Sequence, residues 1–328
     1  MNMSKMTVSV VIAAYKGEKY IGEQLRSLFA QTYKPVEILI GDDSPDTLTA
    51  EVVNAVSAEA PSDIRVDYCK NAQQLGVVQN FSALAERACG DIIFFCDQDD
   101  IWLEKKIETM LDAFIQNPDC DLVACDSMRV TADLQPLESL VNPQTVSPSN
   151  DNYFPKIWTL SGTFAGHNLA LRNKGQVKDC MPFPQNFYGF HDLWLLLYFG
   201  IQKKIFYVNQ VLTLYRIHDA NLSAPPLRGY NKNLFIRFRE IREKTVADFE
   251  LNVTAYTQFQ KLLLARLSTE QIPVDNLSYM NNSLEYYKWR LANYKSPRIV
   301  RVFRLLFHIP EYFKYSNGIR SIIRDCLF

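Results

Sequence analysis

The chain has 328 residues, enough for about two folding units with substantial cores. Hydrophobic residues make up 48% and charged residues 22%, which argues against a disordered chain. Lys and Arg number 35 against 36 Asp and Glu, for a formal charge of −1, so a dedicated nucleic-acid binder with a basic surface is disfavoured.

Cys69, Cys89, Cys96, Cys120, Cys125, Cys180 and Cys326 form no CxxC pair and no zinc-like spacing. They read as free thiols in a reducing compartment. Residues 1–7 lack the long apolar stretch of a signal peptide, and no run of about 20 apolar residues occurs anywhere. The expectation is a cytoplasmic protein without a transmembrane helix.

Val8 to Ala14 is an apolar, β-branched run, the pattern of a strand covered on both faces. Glu18 to Gln31 sets Ile21, Leu25, Leu28 and Phe29 on one helical face. A strand is predicted over Val36 to Ile40, a helix from about Leu48 and a strand over Ile64 to Cys69. A helix through Phe81 and Ala88 follows, then a strand over Asp91 to Cys96, a helix over Leu103 to Phe114 and a strand over Asp121 to Val130. This alternation predicts an α/β fold with a Rossmann-like, mostly parallel sheet.

Ligands of such sheets bind beyond the carboxyl ends of the strands. The polar segments Tyr15 to Glu18, Asp42 to Asp46 and Asp97 to Asp100 fall at those ends, rich in carboxylates and poor in bases. Neither GxGxxG nor GxxxxGK[ST] is present, so phosphates must be neutralised otherwise. Carboxylates two apart, Asp97 and Asp99, can reach one Mg²⁺ or Mn²⁺ that bridges to a diphosphate. Asp100 could cap a helix starting near Leu103, and both roles of the loop can hold at once.

Five segments in order carry a resemblance. They are Val8 to Tyr15 (VSVVIAAY), Tyr20 to Ser27 (YIGEQLRS), Ile40 to Ser44 (IGDDS), Phe95 to Trp102 (FCDQDDIW) and His191 to Trp194 (HDLW). Over about Val8 to Asn221 the chain resembles the inverting, nucleotide-sugar-dependent glycosyltransferases of family 2, with an A-type fold. The Asp-Gln-Asp-Asp-Ile-Trp form, with Tyr215 to Asn221 (YRIHDAN), looks most like bacterial rhamnosyltransferases of surface-polysaccharide assembly, in lipopolysaccharide or capsule.

The resemblance implies a catalytic domain over 1–225 and a helical C-terminal region over 226–328. Backbone at Ala14 and Tyr15 would line the base pocket, and Asp42 or Asp43 would contact the base or ribose as acceptors. Glu18, Gly76, Asp97, Gln98, Asp99 and Arg216 complete the expected donor site. Asp99, Asp97 and His218 are the expected ligands of Mg²⁺ or Mn²⁺, and Arg216 suits a diphosphate. Asp192 would be the general base, with His191 standing where many relatives carry Glu. Gly162, His191, Trp194 and Asp100 are the expected acceptor contacts, although for Trp194 the core is the slightly favoured reading. A Gln-x-x-Arg-Trp pattern of processive synthases is missing, which favours transfer of one sugar.

The resemblance implies L-rhamnose from dTDP-L-rhamnose, passed to a saccharide or lipid-linked saccharide. UDP-hexoses and UDP-N-acetylhexosamines are rival donors, and a non-catalytic sugar-nucleotide-binding protein is the alternative class. Pyrophosphate release would mark a nucleotidyltransferase instead. Helices are predicted over about Asn231 to Leu267 and Leu277 to Tyr294. Arg298 to Phe328 then sets six basic residues against Glu311 and Asp325 among Ile, Leu, Phe and Tyr. Such a tail suits an anionic inner leaflet, the catalytic domain or a second subunit, leaving oligomerisation open.

Overall fold

The computed structural model describes residues 6–137, 152–159, 164–185, 187, 189–221, 234–316 and 318–327. Gly162, Thr163, Pro225, Pro226 and positions 138–151 of the Leu134 to Tyr153 loop lie outside the described residues. The chain divides into two compact units, residues 1–157 with 162–224 and residues 158–161 with 225–328.

The first unit runs β1 (Val8–Ala14), α1 (Ile21–Phe29), β2 (Glu37–Asp42), α2 (Leu48–Ser57), β3 (Arg65–Lys70), α3 (Val77–Arg87) and β4 (Ile92–Cys96). It continues with β5 (Ile101–Trp102), α4 (Lys106–Gln116), β6 (Leu122–Val130), α5 (Phe154–Trp158), β7 (Leu169–Arg172), α6 (His191–Ile201) and β8 (Ile205–Arg216). The strands form one sheet in the order β3-β2-β1-β4-β7-β6-β8-β5. Strands β1 to β4 pair in parallel, as do β6 and β8. β7 is antiparallel to both β4 and β6, and β5 is antiparallel to β8.

The central strands are mostly apolar because helices cover both faces, with Ser9 and Glu37 buried as a hydrogen-bonded pair. Val10, Ile12, Ile38, Ile40 and Phe94 meet Leu25, Leu28, Met110 and Phe114 in one buried cluster. Each such side chain removed from water contributes about 1.5–3 kcal/mol. α4 begins at Lys106, three residues later than predicted, because Ile101 and Trp102 pair with Leu214 and Thr213 of β8.

Two antiparallel registers position the site. Phe94 pairs with Ala170, so continuing three residues along each chain sets Asp97 opposite His167. Ile101 pairs with Leu214, and continuing two residues along each chain sets Asp99 opposite Arg216. Sheet order thus delivers an imidazole and a guanidinium to the loop after β4.

The second unit is helical: α7 (Leu234–Arg266), α8 (Val274–Tyr294), α9 (Arg298–Leu305), α10 (Ile309–Tyr315) and α11 (Ile319–Leu327). Trp158, the last residue of α5 and the first of this unit, and Tyr287 each stack on Tyr256 in its core. Among the described residues, no helix is long and apolar enough to cross a membrane.

Candidate active site

The loop after β1 is fastened to the loop after β4. Tyr15 N–H donates to Gln98 Oε1 at 2.9 Å, and Gln98 Nε2 donates to the Tyr15 carbonyl at 3.0 Å. A Cβ on Gly17 would sit 2.3 Å from Gln98 Oε1, so only glycine admits this amide. Gln98, expected on the donor, therefore acts through Tyr15. Its amide accepts one bond from that backbone and donates one to it, holding the loop after β1. Ala14 is buried at the end of β1, Tyr15 is exposed, and Glu18 accepts a 3.4 Å bond from Thr49 Oγ1.

Asp42 and Asp43 end β2 and shape the neighbouring loops. Asp42 is fully buried and accepts from Tyr68 Oη at 2.6 Å and from Ser44 N and Oγ at 2.8 and 2.5 Å. Asp43 accepts from Asn71 Nδ2 at 2.8 Å, Leu75 N at 3.1 Å and Gly76 N at 2.9 Å. Gly76 has φ +78°, a left-handed conformation suited to glycine, and it leads directly into α3. Asp43 thereby fixes the Asn71 to Gly76 loop.

The loop after β4 concentrates the charge. His167 Nδ1 lies 3.2 Å from Asp97 Oδ2 and 3.2 Å from Asp100 Oδ2. Asp97, Asp100 and His167 each offer a ligand atom, all within 4.8 Å of one another. Their oxygen and imidazole donors suit a divalent cation. Asp100 Oδ2 is also buried with no aligned hydrogen-bond donor, an atom that a cation or proton would satisfy. Burial and the Asp97 and Asp99 charges, against the opposing pull of His167, push the Asp100 carboxyl up to about 7. On Asp97, the burial penalty is outweighed by His167, and its carboxyl is lowered. For His167 itself, Asp100 and Asp97 outweigh burial and raise the imidazole.

Asp99 faces the other imidazole. His218 Nε2 lies 2.9 Å from Asp99 Oδ2, and Asn221 Nδ2 approaches the same oxygen at 3.3 Å. Burial, followed by the charge of Asp97, raises the Asp99 carboxyl. Tyr20 packs its ring 4.7 Å from that of His218. The structure brings Asp99 and His218 together as the sequence led us to expect.

The expectations for Arg216 and Asp100 need correction, and Trp194 takes its core reading. Arg216 is buried, with Nε on the Asp99 carbonyl at 2.8 Å, Nη1 on the Ala132 carbonyl at 2.5 Å and Nη2 on Glu23 at 2.5 Å. It braces the loop rather than meeting a diphosphate. Asp100 is fully buried and accepts the Arg216 N–H at 3.0 Å, so it neither caps α4 nor reaches an acceptor. Trp194 is fully buried, with Nε1 donating to the Cys180 carbonyl at 2.9 Å, and belongs to the core.

His191 and Asp192 open α6. His191 packs on Phe81 and Phe95 with ring centroids 4.1 and 5.4 Å away, and neither of its ring nitrogens has a hydrogen-bond partner. Burial lowers its pKa, which favours the neutral ring, and leaves only 4% of the residue exposed. Asp192 is half-buried and accepts its neighbour's Leu193 N–H at 2.7 Å. Burial raises its carboxyl, and Asp97 and His167 lie within electrostatic reach of it. Gly162, the remaining expected acceptor contact, is outside the described residues.

Sequence reasoning missed His167 and Lys106 as members of this site. His167 carried a signal only through strand order, since β7 must first be known to lie beside β4. Lys106 had a clearer one. It falls on the apolar stripe of α4 with Ile107, Met110 and Phe114, and is fully buried 3.9 Å above the Trp102 ring.

The family model described as Glycosyl transferase family 2 matches residues 9–174. UDP-Glc:alpha-D-GlcNAc-diphosphoundecaprenol beta-1,3-glucosyltransferase WfaP of Escherichia coli is 34% identical over 104 residues, 32% of this chain and 39% of that protein. The putative teichuronic acid biosynthesis glycosyltransferase TuaG of Bacillus subtilis (strain 168) is 27% identical over 245 residues, 72% of this chain and 89% of that protein. The matches to the first three curated relatives span only 33%, 39% and 41% of their lengths. Among solved structures, the mannosyltransferase PcManGT from Pyrobaculum calidifontis, in complex with GDP-Man and Mn²⁺, is similar with a TM-score of 0.53 and 16% identity. The match covers 98% of this chain and 84% of that one, a likeness of fold.

Proposed function

The chain belongs to glycosyl transferase family 2, and from that premise we propose that it moves one sugar from a nucleoside diphosphate donor to an acceptor hydroxyl with inversion. The observation that carries this reading is the convergence of Asp97, Asp99, His167 and His218 after β4, with Asp192 in electrostatic reach of Asp97 and His167.

Asp192 takes the proton of the acceptor hydroxyl as that oxygen attacks the anomeric carbon from the face opposite the diphosphate. The bond from that carbon to the diphosphate oxygen breaks, and the nucleoside diphosphate leaves with the electron pair. Burial raises the basicity of Asp192 above that of an exposed aspartate, which suits a proton acceptor. Asp99, Asp97 and His218 would hold Mg²⁺ or Mn²⁺, which offsets charge on the leaving diphosphate when bound. Asp43 shapes the loop that receives the base and ribose, while Gln98 keeps the Tyr15 backbone in line with Ala14 beneath them.

The donor we propose is dTDP-L-rhamnose, on the pattern of Asp97 to Trp102 with Tyr215 to Asn221. A UDP-hexose is the second reading, favoured by the donor named for WfaP. The acceptor we propose is a saccharide or lipid-linked saccharide of surface-polysaccharide synthesis, met on the cytoplasmic face of the membrane. Calorimetry with dTDP, dTDP-rhamnose, UDP-glucose, UDP-GlcNAc and GDP-mannose, each with Mn²⁺, Mg²⁺ or EDTA, tests the reading. Metal-dependent binding of dTDP-rhamnose supports the first donor, and preference for UDP-glucose the second. Failure of every nucleotide to bind would overturn the site.

A further inference from the structure

In α9 to α11 the helices of the second unit are turned inside out. α9 buries Arg301, whose guanidinium lies 4.8 Å over the Tyr294 ring, and leaves Ile299 85% and Phe303 63% exposed. α11 buries Ser321 and Asp325 while exposing Ile319 and Ile323. Asp325 is fixed inside by Arg290 Nε and Nη2 at 2.6 and 2.8 Å and by Tyr312 Oη at 2.6 Å. The intervening turn and α10 expose Phe307 and Phe313. A helix in water normally buries its apolar stripe, and here Leu305, Tyr312 and Tyr315 are the apolar side chains that turn inward. The buried Arg290–Asp325–Tyr312 network locks the outward direction of the rest.

Charge identifies what covers this face. Arg304, Lys314 and Arg320 are exposed among the apolar side chains, and Arg324 is partly so. Acidic counterparts in residues 298–327 are the buried Asp325 and the half-exposed Glu311. Apolar side chains flanked by ammonium and guanidinium groups match an acyl boundary beneath anionic headgroups. Another apolar protein surface would meet these cations at a desolvation cost.

We infer that α9 to α11 form an interfacial anchor that seats the protein on an anionic bilayer, with Phe303, Phe307 and Phe313 entering the acyl boundary. The anchor supplies the location assumed for a lipid-linked acceptor, yet it rests on this unit alone and needs no glycosyl transfer.

Flotation of the full chain with phosphatidylglycerol-containing vesicles and with pure phosphatidylcholine vesicles tests it. The expected result is binding to the anionic vesicles that falls with salt. Arg304→Gln, Lys314→Gln and Arg320→Gln should each weaken it about fivefold, from about 1 kcal/mol per basic residue. The Phe303→Asp, Phe307→Asp double variant should weaken it about tenfold or more. Circular dichroism and nucleotide binding by each variant report that the chain is folded. Equal binding to both vesicle types, no binding, or binding unaffected by these variants would overturn the anchor. So would a wild-type dimer in light scattering that the Phe double variant dissociates, because a second copy would then own the face. Nucleotide binding that persists while vesicle binding fails would leave the catalytic reading standing.

Discussion

The buried ammonium of Lys106 donates a 2.5 Å hydrogen bond to the main-chain carbonyl of His167, the residue whose ring faces Asp97 and Asp100. A second donor of the same ammonium reaches Thr213 Oγ1 at 2.7 Å. One cation from α4 therefore ties the start of β7 to β8 underneath the carboxylates. Asp100 and Asp97 favour its charge, although burial as the largest influence lowers its pKa.

Lys106→Met should cost about 1–3 kcal/mol, because it strands a buried carbonyl and a buried hydroxyl. Urea unfolding at neutral pH measures this. The variant should also bind Mn²⁺ more weakly, since the His167 ring that orients Asp97, one of the proposed ligands, loses its anchor. Unchanged stability would mean that water takes over both hydrogen bonds.

Asp99 and His218 are the next pair to separate. Asp99→Asn replaces an anionic oxygen with a neutral amide, and His218→Ala removes the imidazole 2.9 Å away. Both variants should lose metal-dependent donor binding by about tenfold or more, in the range seen when metal-site partners are removed. EDTA should reduce the wild type to the level of Asp99→Asn. Calorimetry with and without Mn²⁺ gives the comparison, and donor affinity indifferent to both EDTA and His218→Ala would exclude this pair from a metal site.

The loops after β1, β2 and β4 were legible in the sequence because their chemistry is local. Asp97 and Asp99 share one strand end, and Asp192 opens its own helix. What the sequence hid depends on pairing across the sheet. Arg216 looks like a free phosphate ligand until β5 pairs with β8, when its guanidinium is found on the Asp99 carbonyl and on Glu23, 193 positions away. His167 reads as part of a glycine-containing loop until β7 is known to run antiparallel to β4. The exposed apolar face of α9 and α11 was hidden for a different reason. Composition gave the mixture of basic and apolar residues, but not which of them faces inward.

Asp192→Asn should lower kcat by about 10²- to 10⁴-fold, the usual contribution of a positioned general base. Donor affinity should stay within about twofold, because the amide keeps the shape of the carboxyl and Asp192 is placed on the acceptor. The pH dependence has a definite sign. The base works as a carboxylate, and burial raises its pKa above the 3.8 of an ordinary aspartate. Activity should therefore rise with pH through that raised value and fall away below it. A kcat–pH profile on the wild type locates the limb, and a limb at or below 3.8 would exclude Asp192 as its source.

Glu37 governs acid stability away from the site. Its buried carboxylate accepts Ser9 Oγ at 2.6 Å and Cys89 N–H at 2.8 Å, and Arg65 pairs with its other oxygen. Burial alone would raise its pKa, yet these partners outweigh it and lower the group from 4.5 to about 2. A carboxyl depressed on folding stabilises the native state above its unfolded pKa, and that stabilisation is lost as pH falls through the folded value. The window here runs from about pH 4.5 down to about pH 2, and the contribution is about 3 kcal/mol by linkage. Glu37→Gln keeps an acceptor for Ser9 and Cys89 but gives up the charge toward Arg65. It should lower stability at pH 7 by about 1–3 kcal/mol and flatten the loss between pH 4.5 and 2. Urea midpoints measured across that range for both proteins should converge toward the acid end. Parallel curves would show that another carboxylate sets the acid limit.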